Sequence, residues 1–238
     1  MSPLQRFTLA RADDALVLGH RLSEWIGHGP ILEEEMALGN IGLDLIGQAR
    51  SLYQSVGDED QLAYFRGAAE YQNLLLTEQP NGDFGYTMVR QLFYSAYADP
   101  FWRQMMGSTD PTLAAIAAKS EKESAYHLRH ASEWVIRLGD GTDESQARAQ
   151  QAVDALWPYT GELFAADPDL PLGTAPDPQT LRPVWSATVG AVLNRATLRV
   201  PGGAWMQSGG RTGRHTEHLS LLLAVMQSVP RAHPGAVW

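Results

Sequence analysis

Residues 119–134, KSEKESAYHLRHASEW, concentrate side chains that could bind a metal. Glu123, His127 and His130 recur at helical spacing, and Glu123 and His127, four apart, share a helix face. A carboxylate-bridged di-iron bundle needs a stricter pattern: a Glu from each of two helices and Glu-x-x-His from each of two more. Spacing by three puts an oxygen and a nitrogen ligand on one face within a single turn. Such a mixed shell suits iron, though other divalent metals accept it. Here the residue three before His127 is Ser124. A serine hydroxyl cannot replace a carboxylate that bridges two irons. Glu123 cannot take that place, because it lies one residue earlier, about 100° round the helix. Glu123 and His127 therefore leave two readings open, a single-metal site or, more simply, buried hydrogen bonds. His130 is expected to reach solvent or a partner.

The other candidates are weaker. In residues 43–49, LDLIGQA, Asp44 is a lone acid in an apolar stretch, and three residues on stands Gly47, which offers no ligand atom. Asp44 reads as a polar core residue paired with a Lys, Arg or His of another helix. Glu33, Glu34 and Glu35 mark a helix start by complementing its dipole, and Glu35 is the one chosen as inward-facing. His20 and Glu24, four apart, read as a local salt bridge or a partner-facing patch. His215 and His218 are three apart, with Glu217 between them off their face, so an ordered C-terminal cap is preferred to a metal motif. Dinucleotide, phosphate-loop and zincin motifs are absent.

These side chains need helices to position them, and helical signals dominate. Periodicity predicts a first helix over 11–26 and a break at GHGP. A second is predicted over 31–56, its interior glycines Gly39, Gly42 and Gly47 explained by close packing against another helix. Asp58 caps a predicted third helix running to about residue 77, and a fourth covers 83–106 with Pro100 as a kink or split. Asp110-Pro111 opens a fifth that stops at GDG. Thr142 opens a sixth, whose capping box is judged incomplete because Ser145 stands where Glu or Gln is usual. The Pro- and Asp-rich stretch 165–183 reads as a loop ordered by Leu170 and Leu172. A seventh helix is placed over 183–198, and a last one follows Thr216. No strand pairs, repeats or linkers are evident, so the expectation is one all-α domain over 1–238, a bundle with extra helices.

Composition narrows the classes further. The 238 residues contain no cysteine, which removes disulfides, thiolate catalysis and Cys-ligated metal, and fits a cytoplasmic location. A net charge of −9 with scattered arginines disfavours a nucleic-acid binder. No apolar run approaches a membrane span, and the start MSPLQRFTLARADDA lacks the basic and apolar regions of a signal peptide.

Four blocks in combination, RLSEWIGHGPILEEEMALGNIGLDLIGQARSLY, LLLTEQPNGDFGYTMVRQLF, EKESAYHLRHASEWVIRLGDGT and HTEHLSLLLAVMQ, resemble the C-subunit family of phenylacetyl-CoA epoxidase, also called phenylacetate-CoA oxygenase. The match spans nearly the whole chain. The resemblance implies a ferritin-like four-helix bundle with additional helices. It also implies a place in a bacterial multicomponent monooxygenase that epoxidises the ring of phenylacetyl-CoA, using dioxygen and electrons from NADPH through a reductase. In that family the di-iron centre belongs to the catalytic A subunit, and the C subunit pairs with it without a working metal centre. Carried onto this chain, one Glu-x-x-His falls on Ser124 and His127, and the other near Asp44 and Gly47. Glu35, Asp44, Glu123, Ser124 and His127 then mark a degenerate site region with no catalytic residue and no metal or cofactor of its own. The expected partners are the A subunit, the other members of the complex and the reductase, with no nucleic acid and no membrane. Homo-oligomerisation is a further option for the isolated chain. The alternative reading is an independent metalloprotein with an atypical Asp/Glu/His site.

Overall fold

Ser2 accepts the amide of Gln5 at 3.2 Å while the Gln5 side chain takes the amide of Ser2 at 2.9 Å. This capping box, with Pro3 in the first turn, starts α1 (Pro3–Ser23) eight residues before the apolar periodicity becomes clear. The computed structural model describes residues 1–165, 173–203 and 205–236, and Leu170 and Leu172, expected to order a loop, lie outside them. The chain divides into two compact units, Met1–Pro80 with Gly209–Trp238, and Asn81–Ser208. The described residues contain helices and turns and no strand. The architecture is all-α and ferritin-like, with two long helical hairpins and additional short helices. No helix among the described residues is long and apolar enough to cross a membrane.

In the first unit, α1 pairs antiparallel with α2 (Leu32–Val56). No side chain caps α2, and Glu33, Glu34 and Glu35 fill its first turn. Leu38, Ile41, Leu45, Ala49 and Leu52 of α2 are buried, as are Val17, Leu18 and Leu22 of α1. Each fully buried leucine stabilises by about 1.5–3 kcal/mol. The glycines set the approach of the pair. A Cβ built on Gly19 would stand 3.0 Å from both the Gly42 carbonyl oxygen and Ile46 Cγ1. Close packing thus explains Gly42, but not Gly39, where an added Cβ meets nothing within 4 Å.

The helix expected over 58–77 is broken. Asp58 caps only a short α3 (Glu59–Tyr64), a 3-10 turn covers Ala68–Glu70, and α4 spans Leu75–Glu78. The reason lies elsewhere in the chain: α1 carboxylates take the amides of Gln72 and Leu74 at 2.8 and 2.7 Å, so these residues leave the helical ladder. The last segment forms α9 (Glu217–Met226) and α10 (Ser228–Ala232). Thr216 precedes α9 as expected, but its hydroxyl bonds to Glu78 at 2.8 Å instead of capping its own helix.

In the second unit, α5 (Phe84–Met105) starts at Asp83 and runs through Pro100 without splitting. α6 (Pro111–Gly139) starts with Asp110 bonded to the Leu113 amide at 2.9 Å. The two run antiparallel: Phe84 meets Trp134 edge-on at 5.0 Å, and near the other end Arg103 lies 3.6 Å from Glu121. α7 (Asp143–Leu156) corrects the expectation of an incomplete box. Ser145 Oγ accepts the Thr142 amide at 3.0 Å and Thr142 Oγ1 accepts the Ser145 amide at 3.2 Å, so a serine does what Glu or Gln usually does. α8 (Pro178–Arg195) begins five residues before the predicted 183, behind a cap at Asp177. Phe93, Trp157, Phe164 and Trp185 form an aromatic cluster, and Trp185 Nε1 donates to the Phe93 carbonyl at 2.8 Å.

Candidate functional site

α6 presents one buried stripe, Leu113, Ala117, Ser120, Ser124, His127, Ala131 and Val135, stepping by three or four residues. Ser124 and His127 are 2% and 3% exposed, so the i,i+3 pair faces inward together. The antiparallel register of α5 and α6 sets the level of the pair opposite the buried stretch from Gln91 to Tyr97. Glu123 lies off this stripe, half-buried, with its carboxylate 3.4 Å from Lys119 Nζ one turn earlier. His130 is half-buried, its ring 6.1 Å from that of Tyr126.

The α2 candidates belong to the other unit. Glu35 and Asp44 are both half-buried. Nine residues separate them, roughly 13 Å along the helix axis, so they do not share one ion. Glu35 turns back to accept the Gly29 amide at 3.3 Å, tying the entry loop to the first turn. Gly47 stands one turn beyond Asp44 with no ligand atom. On α1, Glu24 pairs with Arg21 at 2.8 Å, and burial pushes His20 down to about 4. The expected His20–Glu24 salt bridge therefore lacks its cation at neutral pH.

The densest ionisable chemistry of the first unit went unread in the sequence. Asp13 and Asp14 are buried on α1. Asp13 takes the Tyr53 hydroxyl at 2.6 Å, the Gln72 amide at 2.8 Å and both terminal nitrogens of Arg66. Burial, with the Asp13 carboxylate beside it, raises the Tyr53 phenol well above its usual range and keeps it protonated. Asp14 holds Arg211 through two bonds of 2.9 and 2.7 Å and takes the Leu74 amide. Glu78 accepts from the Thr216 amide and hydroxyl, from Asn73 Nδ2, and faces His215 Nδ1 at 2.7 Å. The other nitrogen of His215 lies 2.9 Å from the Tyr71 carbonyl oxygen. The available signal was the doublet Asp13-Asp14 inside an otherwise apolar helical run. Every acid in this set is bonded to cations, amides or hydroxyls, which is the arrangement of a structural clasp. Among the described residues, no group of three or more His, Cys, Asp or Glu side chains is placed to hold a metal ion.

The sequence pattern of the phenylacetic acid catabolic protein family matches residues 1–238. The chain belongs to the phenylacetic acid catabolic protein family. A relative in Escherichia coli (strain K12), the C subunit of 1,2-phenylacetyl-CoA epoxidase, is 49% identical over 248 residues, covering 100% of both chains. Read as a member of this family, the chain has its buried polar positions divided by role. Asp13, Asp14 and Glu78 anchor loops and the C-terminal segment, while Ser124 and His127 lie on the α6 stripe where the resemblance sets a ligand pair. At the positions the resemblance would give to ligands, the Ser124 hydroxyl and the bare Gly47 supply neither the carboxylate nor the imidazole a di-iron centre needs.

Proposed function

We propose that this chain is a structural subunit of a multicomponent di-iron monooxygenase that epoxidises phenylacetyl-CoA, and that it supports a separate catalytic A subunit in aerobic phenylacetate degradation. The observation that supports the reading is the inward pair on α6: His127, which the resemblance matches to an imidazole ligand, is buried, and the residue three before it, equally buried, is Ser124. A bridging position needs a carboxylate, and Glu123, one residue earlier in the chain, pairs with Lys119 at 3.4 Å. The full-length likeness to the C subunit of an epoxidase supports the same reading from outside the site. On this reading 1–238 acts as one ferritin-like domain in the cytoplasm. Its partners are the A subunit, the other members of the complex and the reductase, with the iron in the A subunit.

The test is co-expression with the A subunit of the same organism, followed by metal analysis of each purified chain and of the pair. The expected result is a stable pair, iron in the A subunit alone, and phenylacetyl-CoA turnover that falls when this chain is omitted. Stoichiometric iron in this chain purified alone would overturn the reading. So would full turnover by the A subunit and reductase without it.

A further inference from the structure

His215 has an acceptor at each end of its ring. Nδ1 lies 2.7 Å from Glu78 Oε2, and Nε2 lies 2.9 Å from the Tyr71 carbonyl oxygen. A carbonyl oxygen only accepts, so Nε2 carries a hydrogen. A neutral imidazole has one N–H, and its other nitrogen offers a lone pair. With the hydrogen on Nε2, that lone pair would point at a carboxylate oxygen 2.7 Å away. Two buried acceptors come this close only with a hydrogen between them. The pair therefore holds one proton more than a carboxylate and a neutral ring.

Glu78 decides where that proton rests. Its Oε1 accepts the amide and the hydroxyl of Thr216 at 2.6 and 2.8 Å, and its Oε2 accepts Asn73 Nδ2 at 2.9 Å. The Asn73 amide is oriented by a second bond from the same nitrogen to the Leu74 carbonyl, at 3.0 Å. Three donors besides His215 favour the charged carboxylate, so the proton belongs to the ring. Among the described residues, no Lys or Arg nitrogen lies within 4 Å of the Glu78 carboxylate, which leaves His215 as its cation. The other charges around the pair are matched elsewhere. Arg21 of α1 donates to the Glu78 and His218 carbonyls and pairs with Glu24. Asp14 holds Arg211, Asp13 holds Arg66, and Glu70 accepts the Gly67 amide. Arg214 and Glu217 are exposed, and His218 is half-buried.

We infer that a proton fastens the C-terminal segment of the first unit: at neutral pH His215 is an imidazolium clamped between Glu78 and the Tyr71 carbonyl, and the segment loosens as rising pH removes that proton. The pair joins α4 and the stretch before it to the residues that lead into α9, all within the first unit. The two side chains are 4% and 0% exposed, so the opposite charges meet away from water. Removing the proton turns the contact into a lone pair against a buried carboxylate without its counter-charge. An opened segment returns His215 to the ordinary histidine value near 6.5, whereas the closed segment keeps the proton to higher pH. The contribution of the pair is therefore whole below about 6.5 and declines above it, until the closed form also gives up the proton.

The experiment uses the full chain labelled with ¹³C and ¹⁵N, with the His215 ring signal assigned through its backbone. Long-range ¹H–¹⁵N correlation separates an imidazolium from either neutral tautomer. At pH 7.5 an unperturbed histidine is roughly 90% neutral, and the inference expects both His215 nitrogens to be protonated there. Hydrogen exchange of the α9 amides, corrected for the intrinsic rate, reads the fastening itself. Its protection is expected to fall by about tenfold per pH unit just above 6.5, the slope of one proton released on opening. In Glu78→Gln the side-chain amide can donate to a bare Nδ1, so the ring should be neutral at pH 7.5 and the protection flat with pH. A neutral His215 in the parent at pH 7.5 overturns the inference, and so does parental protection that does not change with pH. Both parental readings decide the matter even where the variant fails to fold. An imidazolium that persists at pH 7.5 in folded Glu78→Gln also overturns it, since the proton would then be held by something other than this pair.

Discussion

His20 shows how one half-buried side chain writes a pH dependence into the fold. Its ordinary value of 6.5 is lowered to about 4 by burial. Between those values the unfolded chain binds a proton that the folded chain refuses. Stability from this group is therefore complete above about 6.5 and declines as pH falls toward 4, by at most about 3 kcal/mol. Urea unfolding of the parent and of His20→Gln between pH 7.5 and 4.5 reads the difference, and parallel pH profiles would sink the assignment. The Asp13 pocket makes a second prediction. Arg66 supplies the cation for a carboxylate with no access to water. Arg66→Met should destabilise by about 3–5 kcal/mol in equilibrium unfolding, because it strands a buried charge. A loss below 1 kcal/mol would mean that Tyr53 and the Gln72 amide suffice to hold Asp13.

At the scale of elements, the two glycines facing opposite ways on the hairpin predict opposite responses. Gly39→Ala should stabilise the isolated chain by about 0.5–1 kcal/mol, since it gains helix propensity and touches nothing. Gly19→Ala should destabilise by roughly 1–3 kcal/mol, since its methyl presses on the Gly42 carbonyl and the helices must part. Thermal or urea unfolding checks both, and equal responses would contradict the packing described for α1 and α2. The helices that carry these glycines were readable in the sequence. α2, α5 and α6 have local marks at their ends: the acids of residues 33–35, Asp83, and Asp110 with Pro111. The stretch 58–77 was misread because its helical periodicity is real but is overruled by Asp13 and Asp14, more than fifty residues away, which claim its amides. For the same reason Ser124 and His127 could be found by counting along one helix, while the clasp of Asp14, Arg211, Glu78 and His215 could not. Asp14 and Arg211 alone lie 197 residues apart, and no local pattern records their meeting. Ser145 was undervalued on different grounds, since a hydroxyl both donates and accepts and can close a capping box at shorter reach than Glu.

At the scale of the molecule, the first unit is assembled from both ends of the chain. Arg211, His215 and Thr216 fasten to Asp14, Glu78 and the Gln72 and Tyr71 carbonyls, while Gln227 and Arg231 donate to the Ala63, Tyr64 and Arg66 carbonyls. A chain ending at Ser208 should therefore lose slow hydrogen exchange across α1 to α4 and keep it in α5 to α8. Unchanged protection in α1 and α2 would show that the hairpin closes without the C-terminal segment.

The same interleaving sets an order in time. Residues 81–208 are contiguous and can fold while the chain is still being made, but the unit of residues 1–80 is completed only by residues 209–238. The N-terminal hairpin is synthesised first and finished last, the reverse of the usual vectorial order. Until residues 209–216 have emerged, Asp14 lacks Arg211 and Glu78 lacks His215 and Thr216. Between synthesis and closure, the carboxylates of Asp14 and Glu78 face the solvent or one another without their C-terminal partners.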